Sequence, residues 1–137
     1  MLKGDIVEIL SVSMDKEEVR KLNEVQKRLG FKSRSKLLRS AITSLVNDYK
    51  GMDALSGHVE SVFVLTYSER EKNHVSDIIH RFESTIRTEL HQHHHSGMCV
   101  DIINLDTDAH TTQAFYNSTK RSKCIYSVAY ALVQEKK

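Results

Sequence analysis

The stretch HQHHHSGMC, residues 91–99, gathers four histidines and a cysteine within nine residues. Imidazole nitrogens and a thiolate suit borderline or soft divalent metals and exclude hard cations such as magnesium. His91 and His93 are two apart, so on a β-strand both point to the same face. Ser96 and Gly97 read as a hairpin turn, and Cys99 opens the returning strand, where it can lie beside the two imidazoles. These three donors need a fourth. His94 and His95 fall at the hairpin tip beside Met98, as polar turn residues or as a secondary, weaker metal site. Cys124 reads as a small buried hydrophobe at the start of a strand rather than as a ligand.

The elements that would carry these residues follow from the pattern of residues 59–137. VESVFVLTY is a strand run rich in valine and aromatics. Ser68 and Glu71 have the spacing of a capping box, and Val75, Ile78, Ile79 and Phe82 recur at helical spacing behind it. TIRTELHQH and CVDIINL are the two strands of the histidine hairpin. A weaker helix covers about residues 108–119, and CIYSVAYALV is a last strand. The order is βαββαβ, a split βαβ layout of the ferredoxin or ACT type. His80 lies roughly 140° from the centre of its helix's apolar stripe, at about 100° per residue. It therefore does not turn towards its own sheet. It is either a plain exposed histidine or one that meets a site on a neighbouring subunit.

The first fifty residues differ in character. EILSVSM alternates as a strand. Asp15 and Glu18 form a D-x-x-E capping box, Val19, Leu22, Val25 and Leu29 follow at helical spacing, and Gly30 is a natural C-cap. Ser33 opens a second helix with Leu37, Leu38, Ala41, Ile42, Leu45 and Val46 on one stripe, ending near Gly51. One strand and two helices cannot bury their apolar faces alone, so a dimer with paired strands is expected. Its outward ribbon would carry Ile9, Ser11 and Ser13, and such a ribbon fits the DNA major groove. Ser33, Arg34 and Ser35 would offer backbone amides and a cation to a phosphate. Between Lys16 and Arg39 nine basic residues face only Glu17, Glu18 and Glu24, which suits either nucleic acid or a solvated helix face. The expected division is 1–50, a linker at 51–58 (GMDALSGH), and 59–137, in an α+β chain.

With 39% hydrophobic and 28% charged residues, the chain fits a folded cytoplasmic protein. No stretch is long and apolar enough to span a membrane, and MLKGDIVEIL lacks the run of a signal peptide. Without an export signal, Cys99 and Cys124 are expected to be reduced.

The N-terminal strand and RLGFKSRSKLLRSAI resemble the ribbon-helix-helix (CopG-like) repressors. The spacing His80-x10-His91-x-His93-x5-Cys99, with IIHRFESTIRTELHQH around it, resembles the ligand pattern of the nickel-responsive regulators. That resemblance spans almost the whole chain. It implies a homotetramer, a dimer of dimers, that binds a double-stranded DNA operator and represses when metal is bound. It also implies that His91, His93 and Cys99 are ligands within one chain and His80 the ligand across the subunit interface. Three nitrogens and one thiolate suit planar Ni(II) or Cu(II); nickel is the ion implied, with cobalt and zinc as alternatives. Two acids that in some members help hold an interdomain cation stand here as Lys36 and Ser40. Ile9 occupies a ribbon position that usually carries a long polar side chain, which implies a different operator. The rival class is a zinc enzyme with Glu89 as general base, since it shares the strand face of His91. A four-ligand set leaves no open position for such chemistry, and no catalytic residues are expected.

Overall fold

The computed structural model describes residues 6–136, and residues 1–5 and 137 lie outside the described residues. The chain divides into two compact units, Met1–Asn47 and Asp48–Lys137, with the boundary inside a helix.

In the first unit α1 spans Lys16–Leu29 and α2 spans Arg34–Asp53. The capping box forms in full: Glu18 N–H donates to Asp15 Oδ1 at 2.8 Å and Asp15 N–H to Glu18 Oε2 at 2.9 Å. Two of the helix's first N–H groups, which have no partner inside the helix, are thus satisfied. Gly30 ends α1 at φ 74°, a left-handed conformation that a side chain disfavours. Ser33 Oγ accepts from Lys36 N–H at 3.1 Å at the start of α2.

The strand expected over residues 8–14 is not assigned. Residues 6–15 carry no regular element, and Ile9, Leu10 and Val12 are exposed. The physical reason is the one that called for a dimer, because a strand needs a ladder partner and the described residues supply none here.

α2 does not stop at Gly51 but runs through it to Asp53. A Cβ at position 51 would lie 3.3 Å from the Tyr130 hydroxyl, so the glycine permits close approach there rather than ending the helix. Met52 and Leu55, within the 51–58 stretch, are buried in the second unit's core.

The second unit contains β1 (His58–Ser68), α3 (Lys72–His80), β2 (Ile86–His93), β3 (Met98–Asp108), α4 (Ala109–Lys120) and β4 (Ser127–Lys136). The expected βαββαβ order is therefore present, as one antiparallel sheet ordered β2-β3-β1-β4. Alternation along β1 buries Val59, Ser61, Phe63, Leu65 and Tyr67, and their face carries the core with Val75, Ile79 and Phe115 from α3 and α4. Phe63 meets Phe115 edge-on with centroids 4.9 Å apart, and Phe82 meets Phe115 at 5.1 Å. Asp108 caps α4 through Thr111 N–H at 2.8 Å.

Two local readings are corrected. The Ser68–Glu71 capping box does not form, since Ser68 makes no side-chain cap bond and Glu69–Glu71 is a short 3-10 turn. Ser68 is still paired with Met98 in the sheet, and Glu69 N–H donates to Gly97 O at 2.9 Å, so the backbone is held by the hairpin instead. The last strand begins at Ser127, which leaves Cys124 in the preceding turn, half-buried against the core.

Candidate metal centre

The hairpin forms as the alternation required. His94 N–H donates to Met98 O at 2.9 Å, and Gly97 turns the chain at φ 79°. The β2–β3 register sets His93 opposite Cys99, His91 opposite Asp101 and Glu89 opposite Ile103. All six therefore share the face on which the helices pack, beside Tyr67, which is paired with Cys99 from β1. Because β2 is an edge strand, this cluster lies at the rim of the sheet.

One ligand atom from each of His91, His93 and Cys99 lies within 4.8 Å of the others. Cys99 Sγ is 3.6 Å from His93 Nδ1, and the two imidazole rings stand nearly perpendicular with centroids 4.7 Å apart. Sequence reasoning missed what lies behind His91. Its Nδ1 is hydrogen-bonded to Asp101 Oδ1, and Tyr67 Oη donates to Asp101 Oδ2 at 2.7 Å. Asp101 is only 2% exposed. A signal for it was available, since it is two residues beyond Cys99 and so on the same strand face.

The fit to a metal can be judged from His91 itself. Its Nε2 is buried and has no hydrogen-bond partner among the described residues. A carboxylate on Nδ1 holds the proton there and leaves the Nε2 lone pair free, the arrangement metal-bound histidines adopt. An orphaned buried acceptor beside a thiol and a second imidazole is otherwise costly. The donor set fits a borderline or soft divalent ion.

Electrostatics add a proton cost. Burial pushes the Cys99 thiol up, with Glu69 and Asp101 adding to it, so the sulfur is protonated until a cation replaces the proton. Burial and the bond to Asp101 push the Tyr67 phenol far above its ordinary value, keeping it a donor. Glu89 is raised by burial and then by Asp101.

His80 is not brought into this cluster within the chain. It ends α3 as an exposed residue, with Nδ1 3.1 Å from Glu83 Oε2, in keeping with its helical phase. His94 and His95 are exposed at the hairpin turn and belong to neither grouping of candidate ligands among the described residues. Cys124 falls in the second grouping, with Glu71 and His74.

In the first unit, Ile9, Ser11, Ser13, Arg34 and Ser35 are exposed and Ser33 is half-buried. The Arg34 guanidinium donates to Asn23 Oδ1 at 2.9 and 3.2 Å, which fixes it across α1. No described helix is long and apolar enough to cross a membrane.

Residues 8–49 match the model of the ribbon-helix-helix protein, copG family. Three archaeal relatives carry provisional names as nickel-responsive regulators. Those from Methanosarcina acetivorans and Methanosarcina mazei are each 28% identical over 102 residues, covering 72% of this chain and 73% of theirs. The third, from Methanothrix thermoacetophila, is 28% identical over 99 residues, covering 70% and 71%. In fold, 57% of the chain matches the whole of an uncharacterized protein from Thermotoga maritima, with a TM-score of 0.52 at 17% identity. Residues 8–49 thus match the ribbon-helix-helix, copG family, within a chain that is similar over most of its length to relatives named for nickel response.

Proposed function

We propose that this chain is a nickel-responsive, DNA-binding transcriptional repressor whose operator binding is promoted by metal. The observation that carries the reading is the His91, His93 and Cys99 cluster in the same chain as a ribbon-helix-helix segment. That segment and the relatives point to a transcription regulator rather than an enzyme.

In this reading two chains pair residues 8–14 as an antiparallel ribbon, with Ile9, Ser11 and Ser13 towards the major groove. Ser33, Arg34 and Ser35 meet a phosphate at the start of α2. The exposure of Leu10, Val12, Ile42 and Leu45 supports pairing, because so many large apolar residues on one small unit call for a cover. A dimer of such dimers carries two DNA-reading heads.

His91, His93 and Cys99 serve as ligands within the chain, and His80 of the partner subunit is the fourth. The edge position of β2 supports such a shared site, as does the outward placement of His80. Together these residues would offer three nitrogens and one thiolate, a donor set that suits Ni(II). Asp101 orients His91, and Tyr67 orients Asp101. Cys99 gives up its proton on binding, so affinity rises with pH. A ligand set completed by two subunits favours the arrangement that brings them together. The coupling to DNA equals the difference in metal affinity between that arrangement and the others.

The test is a Ni(II) titration of wild type and His80→Ala, with absorption spectra and operator gel shifts. One ion per chain, a thiolate charge-transfer band and nickel-dependent DNA binding are expected, with the planar spectrum lost in His80→Ala. An unchanged spectrum in that variant removes His80 from the site. DNA binding indifferent to nickel removes the switch, and loss of DNA binding in Arg34→Ala separates a regulator from a metal-storage protein.

A further inference from the structure

A second set of ligand atoms lies away from the hairpin. A carboxylate oxygen of Glu71, an imidazole nitrogen of His74 and the sulfur of Cys124 fall within 4.8 Å of one another. We propose that these three residues bind a second divalent metal of the zinc class.

The fold assembles them from distant parts of the sequence. Glu71 closes the 3-10 turn and stands at the N-terminus of α3, and His74 follows on the first turn of the helix. The i,i+3 spacing puts both on one side of the helix, with His74 Nδ1 3.0 Å from Glu71 Oε2. Cys124 arrives from the turn between α4 and β4, which is braced by the Cys124 N–H donating to Ser122 Oγ at 3.2 Å. Its sulfur lies within 4.8 Å of the ligand atoms of both Glu71 and His74. Every pair in the trio is thus close enough to share one ion.

The geometry and the chemistry agree. Tetrahedral zinc, with bonds of about 2.0–2.3 Å, holds its donors roughly 3.3–3.8 Å apart. The observed limit of 4.8 Å is wider than that, and the exposed His74 has room to close it. One oxygen, one nitrogen and one sulfur form a mixed set that zinc accepts, and a water can take the fourth position. Glu71 and Cys124 are half-buried, so an ion reaches them from solvent yet is partly shielded once bound. It would tie the entry of α3 to the turn before β4, two segments otherwise separate in the chain. The bland alternative is a surface Glu–His pair with a thiol beside it, and the two differ in whether metal binds.

The experiment uses the full chain carrying Cys99→Ala, which leaves Cys124 as the sole thiol and removes the hairpin thiolate. Co(II) is the spectroscopic probe and Zn(II) the competitor. A thiolate-to-cobalt charge-transfer band is expected at one ion per chain, displaced by zinc and lost when His74→Ala is added. As a second measurement, zinc stoichiometry in the chain with both cysteines should fall by one ion per chain on Cys124→Ser, with circular dichroism unchanged. No band in Cys99→Ala, or a band of equal strength and affinity after His74→Ala, overturns the site. Since the hairpin thiolate is absent from the first experiment, failure there leaves the nickel reading untouched.

Discussion

Asp101→Asn tests the claim that the hairpin site depends on a carboxylate behind His91. Asp101 is buried, bonded to His91 Nδ1, and accepts from Tyr67 Oη at 2.7 Å. Asparagine keeps the size of the side chain and can still accept from Tyr67. It loses the charge, and it can turn its amide towards the ring. That favours the tautomer with the proton on Nε2, the nitrogen that must be bare to bind metal. Changes of this kind cost about 10–100-fold in metal affinity, which is roughly 1.4–2.8 kcal/mol at about 1.4 per decade. The measurement is a nickel titration in competition with a chelator of known affinity, at fixed pH, on wild type, Asp101→Asn and His91→Ala. Tyr67→Phe adds a graded control, because it keeps the charge and removes one hydrogen bond, so its loss should be the smaller. Thermal unfolding of the metal-free proteins checks that the sheet survives. If Asp101→Asn binds as wild type does while His91→Ala does not, the orientation argument is wrong. His91 would then act through position alone.

Three further outcomes follow from other parts of the chain. Asp15→Ala removes the carboxylate that accepts from Glu18 N–H in the α1 capping box and should cost about 1 kcal/mol, read by chemical denaturation. Phe63→Ala empties a fully buried site against Phe115 and Tyr130, so a loss of about 3–5 kcal/mol is expected for the second unit. Asp108 has its carboxyl held below the usual range by Thr111, first through the backbone N–H and then through the hydroxyl. A depressed acid contributes stability above its unfolded value, and that stability is lost as pH falls through the lower folded value. Asp108→Ala should therefore lower the melting temperature at neutral pH, and the gap to wild type should narrow in acid.

What the sequence discloses depends on how far apart the interacting groups lie along the chain. The Asp15 box and the Gly30 cap were readable because each is settled within four or five residues. The hairpin was readable for a related reason. A tight turn at Gly97 fixes the register, and register with alternation places His91, His93 and Cys99 on one face. Ser68 and Glu71 show where this local logic stops. They have the same spacing as Asp15 and Glu18, but Ser68 is still held in the sheet beside Met98, and tertiary pairing overrides the cap. Tyr67 was further from reach, because its place behind Asp101 depends on β1 lying next to β3, which no local pattern states. Cys124 was misplaced for the same reason, as its neighbours Glu71 and His74 meet it only after the sheet has closed. The unassigned strand at residues 8–14 goes one step further. Its apolar alternation is plain in the sequence, yet the described residues offer it no ladder partner. His80 shares that logic, since its helical phase sends it away from its own sheet and towards whatever lies beyond the chain. The features that a single chain leaves incomplete are thus the two on which a reading by dimers and tetramers relies, which makes subunit contact the natural place to look for the switch.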